Sequence, residues 1–175
     1  MSIFKATEYV PSVFEIDYQK LKKENIKLIC FDLDNTLDYP DQEDLELTPG
    51  IEKLINDLKK EFHIYIVSNN EYHNRVKVFA DYFNLEYKHK FRKPFQKNYV
   101  DNTILSKYTK EEIVFVGDKI VTDIIGANRY GSHCILVDPL YEKDKMWYAK
   151  VMGLLEKMVR RIIKFPKGKY YGKKM

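Results

Sequence analysis

The sequence predicts an α/β fold: a Rossmann-like, mostly parallel sheet of five strands with helices on both faces. Two observations lead there. Short apolar runs alternate with amphipathic stretches along the chain, the order that builds a parallel sheet covered on both sides. Polar residues capable of chemistry then recur directly after those runs, which is where open parallel sheets bind ligands.

The elements follow in order. Ile26–Phe31 reads as a buried strand ending at Asp32. Thr48-Pro49-Gly50 opens a helix, with Thr48 as N-cap and Pro49 at the first helical position. That helix runs to about Glu61 and buries Ile51, Leu54, Ile55 and Leu58 at helical spacing. Ile64–Val67 is a second strand, Tyr72–Phe83 a second helix and Leu85–Tyr87 a short third strand. Residues 94–108 are expected to be mostly helical. Ile113–Val116 is a strand, Val121–Tyr130 a helix and His133–Val137 the fifth strand; a final helix spans about Lys143 to Phe165. No repeat, linker or break in composition divides the chain, so one domain over residues 1–175 is expected.

Composition narrows the class. Hydrophobic residues make up 45% and charged residues 32%, a balance unlike that of a disordered chain. Cys30 and Cys134 sit in apolar runs and read as buried thiols; a disulfide framework needs more cysteines. No apolar run is long enough to cross a bilayer, and Met1–Pro11 lacks the basic start and apolar stretch of a signal peptide. The expected location is the cytoplasm, with peripheral contact on the cytoplasmic membrane face as an option. The net charge of +4 is uneven: residues 141–175 carry eleven Lys/Arg and three acids, +8, leaving −4 on the rest. A basic tail on an acidic body suits an anionic partner.

Four sequence elements carry chemistry. Asp32-Leu33-Asp34-Asn35-Thr36-Leu37 follows the first strand. Residues two apart in extended chain point the same way, so Asp32 and Asp34 can face one reaction centre. Covalent phosphate-ester hydrolysis needs such a pair: a nucleophile, and a proton carrier for the leaving oxygen and then for water. An acidic solvated loop is the competing reading. Gly117-Asp118-Lys119-Ile120-Val121-Thr122-Asp123 follows another strand. Asp118 can join Asp32 at a hard divalent ion, since magnesium takes one or two protein carboxylates. Asp123 binds through water, braces the site, or simply caps a helix. Ser68-Asn69-Asn70 offers a hydroxyl and backbone N–H groups to phosphate oxygens, and is also a good turn. Lys93 can offset charge on the transferring group.

In this ensemble the sequence resembles the haloacid dehalogenase superfamily, through Asp32–Leu37, Ser68, Lys93 and Gly117–Asp123. The resemblance implies Asp32 as nucleophile and Asp34 as acid/base. It implies magnesium held by Asp32, the backbone carbonyl of Asp34, and Asp118, with Ser68 and Lys93 holding the phosphoryl group. Asp34 argues against true dehalogenases, which lack that second acid. Val67-Ser68-Asn69-Asn70, Arg75–Phe79, Arg92-Lys93-Pro94, Thr122-Asp123 and Asn128-Arg129-Tyr130-Gly131 are similar to the type IIIA, YqeG-like branch, which includes phosphatases of phosphatidylglycerophosphate. Lys119 stands where that branch is expected to carry Gln.

The superfamily's cap domains have no room here. Thirteen residues separate Asp34 from Thr48, and the twenty-four between Ser68 and Lys93 are taken by a helix and a strand. A capless, open site suits a substrate that brings its own bulk. The acidic stretch Asp38, Asp41, Glu43, Asp44 and Glu46 reads as a solvated flap. Trp147, Val151, Leu154, Leu155, Met158, Ile162 and Phe165 form an apolar stripe beside Lys150, Lys157, Arg160, Arg161 and Lys164. Such a helix either packs on the sheet or lies on anionic lipid.

The expectation is a magnesium-dependent phosphomonoesterase acting on an anionic phospholipid, phosphatidylglycerophosphate. Asn69, Arg75, Asn128 and Arg129 are candidate substrate contacts. The alternatives are a phosphatase for a soluble metabolite, a protein or a nucleic-acid end, and a non-catalytic module that binds nucleic acid or a ribosome-associated partner.

Overall fold

In the computed structural model, residues 3–39 and 47–140 are described, together with Leu154 and Met158. Six strands form one sheet in the order β1-β6-β5-β2-β3-β4. They are β1 (Glu8–Tyr9), β2 (Leu28–Phe31), β3 (His63–Val67), β4 (Glu86–Lys88), β5 (Ile113–Gly117) and β6 (His133–Leu136). Every pairing is parallel. The expected parallel sheet is therefore present with a sixth strand, β1, added at the β6 edge. Two residues of half-buried chain give no apolar alternation, so β1 has no signature in the sequence.

Alternate residues of the strands feed two cores. Ile29, Phe31, Ile64, Ile66, Val114, Val116 and Ile135 face one side, and meet Ile51, Ile55 and Leu58 of α2 (Ile51–Leu58). Val76, Phe79 and Phe83 of α3 (His73–Phe83) join them. Leu28, Cys30, Tyr65, Val67, Phe115, Cys134 and Leu136 face the other side, against Tyr99, Leu105, Ile120, Ile124 and Tyr130. The two-residue period of a strand makes this division, and burial on both faces explains the continuous apolar runs. A short helix, α1 (Tyr18–Lys23), precedes β2; its N-cap Asp17 accepts from the Lys20 N–H at 2.9 Å. Both cysteines are buried and unbridged.

Three local expectations are corrected. Thr48 does not cap α2. The α2 N-cap is Gly50, whose φ of 83° lies in the left-handed region, and Thr48 instead offers its carbonyl to the Ile51 N–H. Residues 94–108 are not mostly helical: they hold α4 (Lys97–Val100) and a 3₁₀ turn at Leu105–Lys107. The Asn102 side chain accepts from the N–H groups of Ile104 and Leu105, breaking the helix by offering the backbone another partner. The helix expected at Val121–Tyr130 is a π-helical turn, Ile120–Ile124, leading into α5 (Ile125–Tyr130). The final helix expected at 143–165 lies outside the described residues, apart from Leu154 and Met158, which are helical and exposed. No helix among the described residues is long and apolar enough to cross a membrane.

Candidate active site

Parallel register gathers the site. Phe31 pairs with Ile66 on one side and Val116 on the other, so the residues just beyond these three strands share one edge of the sheet. Asp32 continues the ladder, its N–H donating to Val116 O at 2.9 Å. Ser68 follows β3 and Asp118 follows β5. Lys93 arrives from the loop after β4, pinned by a two-way bond with Asn69: its N–H donates to Asn69 Oδ1 at 2.7 Å, and Asn69 Nδ2 donates to its carbonyl at 3.0 Å.

Lys93 is the electrostatic centre. Its ammonium donates to Asp32 Oδ1 at 2.5 Å, Asp123 Oδ1 at 2.6 Å and Val67 O at 2.8 Å, and all three side chains are buried. Burial by itself would lower the Lys93 pKa, but Asp123 and Asp32 outweigh it and hold the group well above its ordinary value. Burial pushes the Asp32 carboxyl up to about 6; Lys93 pulls it back, while Asp123 and Asp34 add to the rise.

Asp32, Asp118 and Asp123 each offer a carboxylate oxygen within 4.8 Å of the others. Three buried carboxylates against the Lys93 ammonium leave an excess of negative charge, and all their donors are hard oxygens. That donor set fits magnesium or a similar divalent cation. Asp123 is already engaged on both oxygens: Oδ1 takes Lys93, and Oδ2 accepts from Lys119 N at 3.1 Å and Thr122 Oγ1 at 3.3 Å. Its place is to brace Lys93. Gly117 makes room for it, because a Cβ there would fall 2.4 Å from Asp123 Cγ.

Asp34 lies at the outer edge of the cluster. Its Oδ1 accepts from Arg75 Nε at 3.1 Å and its Oδ2 from Asn70 Nδ2 at 3.0 Å. Arg75 also reaches Asp38 Oδ2 at 3.1 Å and the Tyr39 carbonyl. Asp38 is fully buried, which corrects the solvated-flap reading at this position; Asp41, Glu43, Asp44 and Glu46 lie outside the described residues. Sequence reasoning missed Asp38 because an acid in an acidic run is ordinarily solvated. Its partner is 37 positions away, and only the start of α3 beside the site brings it near.

The remaining candidates are placed as follows. Ser68 is buried, and its Oγ accepts from the Asn70 N–H at 3.0 Å. Asn69 holds the Lys93 loop. Arg75 spends its guanidinium on protein acceptors. Asn128 and Arg129 are not brought to the cluster. Asn128 Nδ2 donates to the carbonyls of Ile3 and Lys5 at 2.9 and 3.0 Å, fastening the segment before β1. Arg129 is exposed at the last turn of α5, and its carbonyl accepts from Gln96 at 3.0 Å.

With the geometry in place, comparison with known proteins identifies the lineage. Residues 2–140 match the family model described as mitochondrial PGP phosphatase. The chain belongs to that family. It is also 37% identical over 142 residues to the probable phosphatase YqeG of Bacillus subtilis, covering 81% of each chain. Two solved structures share the fold at low identity. One is an uncharacterized Listeria monocytogenes protein (TM-score 0.54, 19% identity, 78% of this chain and 99% of that one). The other is the putative HAD-hydrolase YfnB of Bacillus subtilis, bound to magnesium (TM-score 0.53, 16% identity, 71% and 91%). The chain is thus a YqeG-like phosphatase, with a phosphate ester as substrate, and it shares its fold with a HAD hydrolase. Its cap interval, residues 69–92, holds only α3 and β4.

Proposed function

We propose that this phosphatase is a magnesium-dependent phosphatidylglycerophosphate phosphatase in phospholipid synthesis that works through an aspartyl-phosphate on Asp32. The observation that carries the chemistry is the contact of a buried Asp32 with a buried, protonated Lys93, beside Asp118. Asp32, Asp118 and the Asp34 carbonyl would hold the cation. When bound, it adds positive charge against the carboxylates and the phosphoryl oxygens.

The chain's own groups account for the rest. The Asp32 carboxylate attacks phosphorus in line with the ester oxygen. The P–O ester bond breaks as the Asp32–P bond forms, and Asp34 gives its proton to the departing oxygen. Asp34 then takes a proton from water, which attacks phosphorus and releases inorganic phosphate and free Asp32. Lys93 fixes the Asp32 carboxylate and faces the transferring group with positive charge. Ser68 and the backbone around it receive the phosphoryl oxygens.

The family match supports the lipid substrate. So does the surface at the mouth. Tyr72, two residues from Asn70, is 78% exposed, and Phe95, two residues from Lys93, is 65% exposed. Arg92 and Lys90, also exposed, lie on the same loop as Lys93. Aromatic and cationic side chains together favour the interface of an anionic membrane. These features support peripheral contact at the cytoplasmic membrane face.

The test is phosphate release from phosphatidylglycerophosphate vesicles and from a soluble ester, with magnesium or EDTA. Magnesium-dependent release that favours the vesicles supports the assignment. Release from the soluble ester alone keeps the chemistry and removes the lipid. Release from neither removes the phosphatase mechanism.

A further inference from the structure

We infer that Arg75 and Asp38 form a buried clamp that, with Asn70, positions Asp34 for proton transfer to the leaving oxygen. The inference rests on the acid/base role proposed for Asp34.

Arg75 is nine-tenths buried, and its guanidinium joins two carboxylates: Nε on Asp34 Oδ1 and Nη2 on Asp38 Oδ2, each at 3.1 Å. Asn70 Nδ2 holds the second oxygen of Asp34. One donor on each oxygen sets both the rotation of the carboxyl group and the place of its plane. A carboxyl held by a single contact at the chain's edge would sweep several rotamers, and proton transfer rewards a fixed geometry.

Asp38, with no solvent exposure, is the second carboxylate on the guanidinium and fixes its far end. It is itself fixed: its Oδ1 accepts from the Tyr39 N–H at 3.0 Å, and its carbonyl accepts from Asn35 N at 2.8 Å. The Asn35 φ of 68° turns the chain so that Asp34 and Asp38 form an isolated bridge. Asparagine tolerates that left-handed conformation. The turn and the arginine therefore hold Asp34 from its backbone side and from its oxygens.

Leaving-group chemistry separates positioning from structure. A 4-nitrophenolate departs without a proton, whereas the alkoxide of an alkyl phosphate needs one. First-turnover rates of leaving-group release, which read ester cleavage before the water step common to both substrates, would be measured with 4-nitrophenyl phosphate and with short-chain phosphatidylglycerophosphate for the wild type, Asp34→Asn, Arg75→Ala, Arg75→Lys and Asn70→Ala, alongside melting temperatures.

In Arg75→Ala the alkyl ester should slow by about 100-fold or more, the lower end of what general acid catalysis contributes, and the aryl ester by less than about tenfold. Arg75→Lys should recover part of the loss, and Asn70→Ala, which leaves the buried ion pair intact, should show the same bias at smaller size. Equal losses on both esters, or none, would overturn the clamp. If Arg75→Ala does not fold, the bias in Asn70→Ala and Arg75→Lys decides alone. A wild type inactive on both esters, or an Asp34→Asn variant with no leaving-group bias, would overturn the parent mechanism and the clamp with it. A biased Asp34→Asn beside unbiased clamp variants would overturn the clamp only.

Discussion

Gly117→Ala is a one-methyl perturbation whose outcome follows from the geometry. The added Cβ would lie 2.4 Å from Asp123 Cγ and 2.6 Å from Asp123 Oδ2, where unstrained carbon contacts need about 3.5–4.0 Å. Neither side yields easily. Gly117 ends β5, with Val137 N donating to its carbonyl at 3.0 Å, and Asp123 is tied to Lys93 and to the Lys119 N–H. Relief comes from moving the Asp123 carboxylate by about 1 Å, which drags the Lys93 ammonium with it. Overpacking of this kind costs about 1–3 kcal/mol. For a chain of this size that is a fall of roughly 2–12 °C in melting temperature. A displacement of that size at the reacting groups lowers the rate by up to about 100-fold. Thermal unfolding followed by circular dichroism, with kcat measured on the same preparation, reads both quantities. A variant that melts within about 1 °C of the wild type and turns over at the same rate would refute the packing argument.

Three further outcomes are expected. In EDTA at pH 7, Asp32→Asn should melt above the wild type. The buried Asp32 carboxyl titrates at about 6 rather than 3.8, so its neutral form is favoured by folding. That stabilisation is complete below pH 3.8 and lost as pH rises through about 6. The gap between variant and wild type should therefore close as pH falls towards 4; an unchanged or reversed gap would contradict the buried charge. Asn128→Ala should lower stability by about 1–2 kcal/mol through its lost hydrogen bonds to the Ile3 and Lys5 carbonyls and from the Cys134 thiol, and leave kcat and KM intact. A raised KM would return Asn128 to the substrate. Tyr72→Ala with Phe95→Ala should reduce turnover of vesicle-borne substrate at least about fivefold, while a soluble ester is hydrolysed as before. Equal rates on vesicles would remove these two aromatics from the membrane contact.

Much of this molecule is legible in its sequence because strand burial is written as apolar runs. Leu28–Phe31 and Ile113–Gly117 are buried at every position, and their ends announce Asp32 and Asp118. What stayed hidden depends on tertiary partners. Asp38 looks like a solvated acid until Arg75 of α3 is folded against it. Asn128 looks like a polar residue free to meet a ligand until the segment before β1 crosses it. The irregularity of 94–108 lies in one side chain, Asn102, which competes with the backbone, and helical spacing of apolar residues carries no trace of that competition. Asp123 is an intermediate case. A capping role and a bracing role predict the same residue, and only the contact with Lys93 separates them.

The central claim is that Asp32 takes the phosphoryl group. Acid-quenching the enzyme during turnover of phosphatidylglycerophosphate with magnesium, then mapping the phosphorylated peptide by mass spectrometry, tests it most directly. Phosphate on Asp32, absent in Asp32→Asn and in EDTA, is the expected result. Steady turnover with no phosphate on Asp32, or full activity in Asp32→Asn, would contradict it.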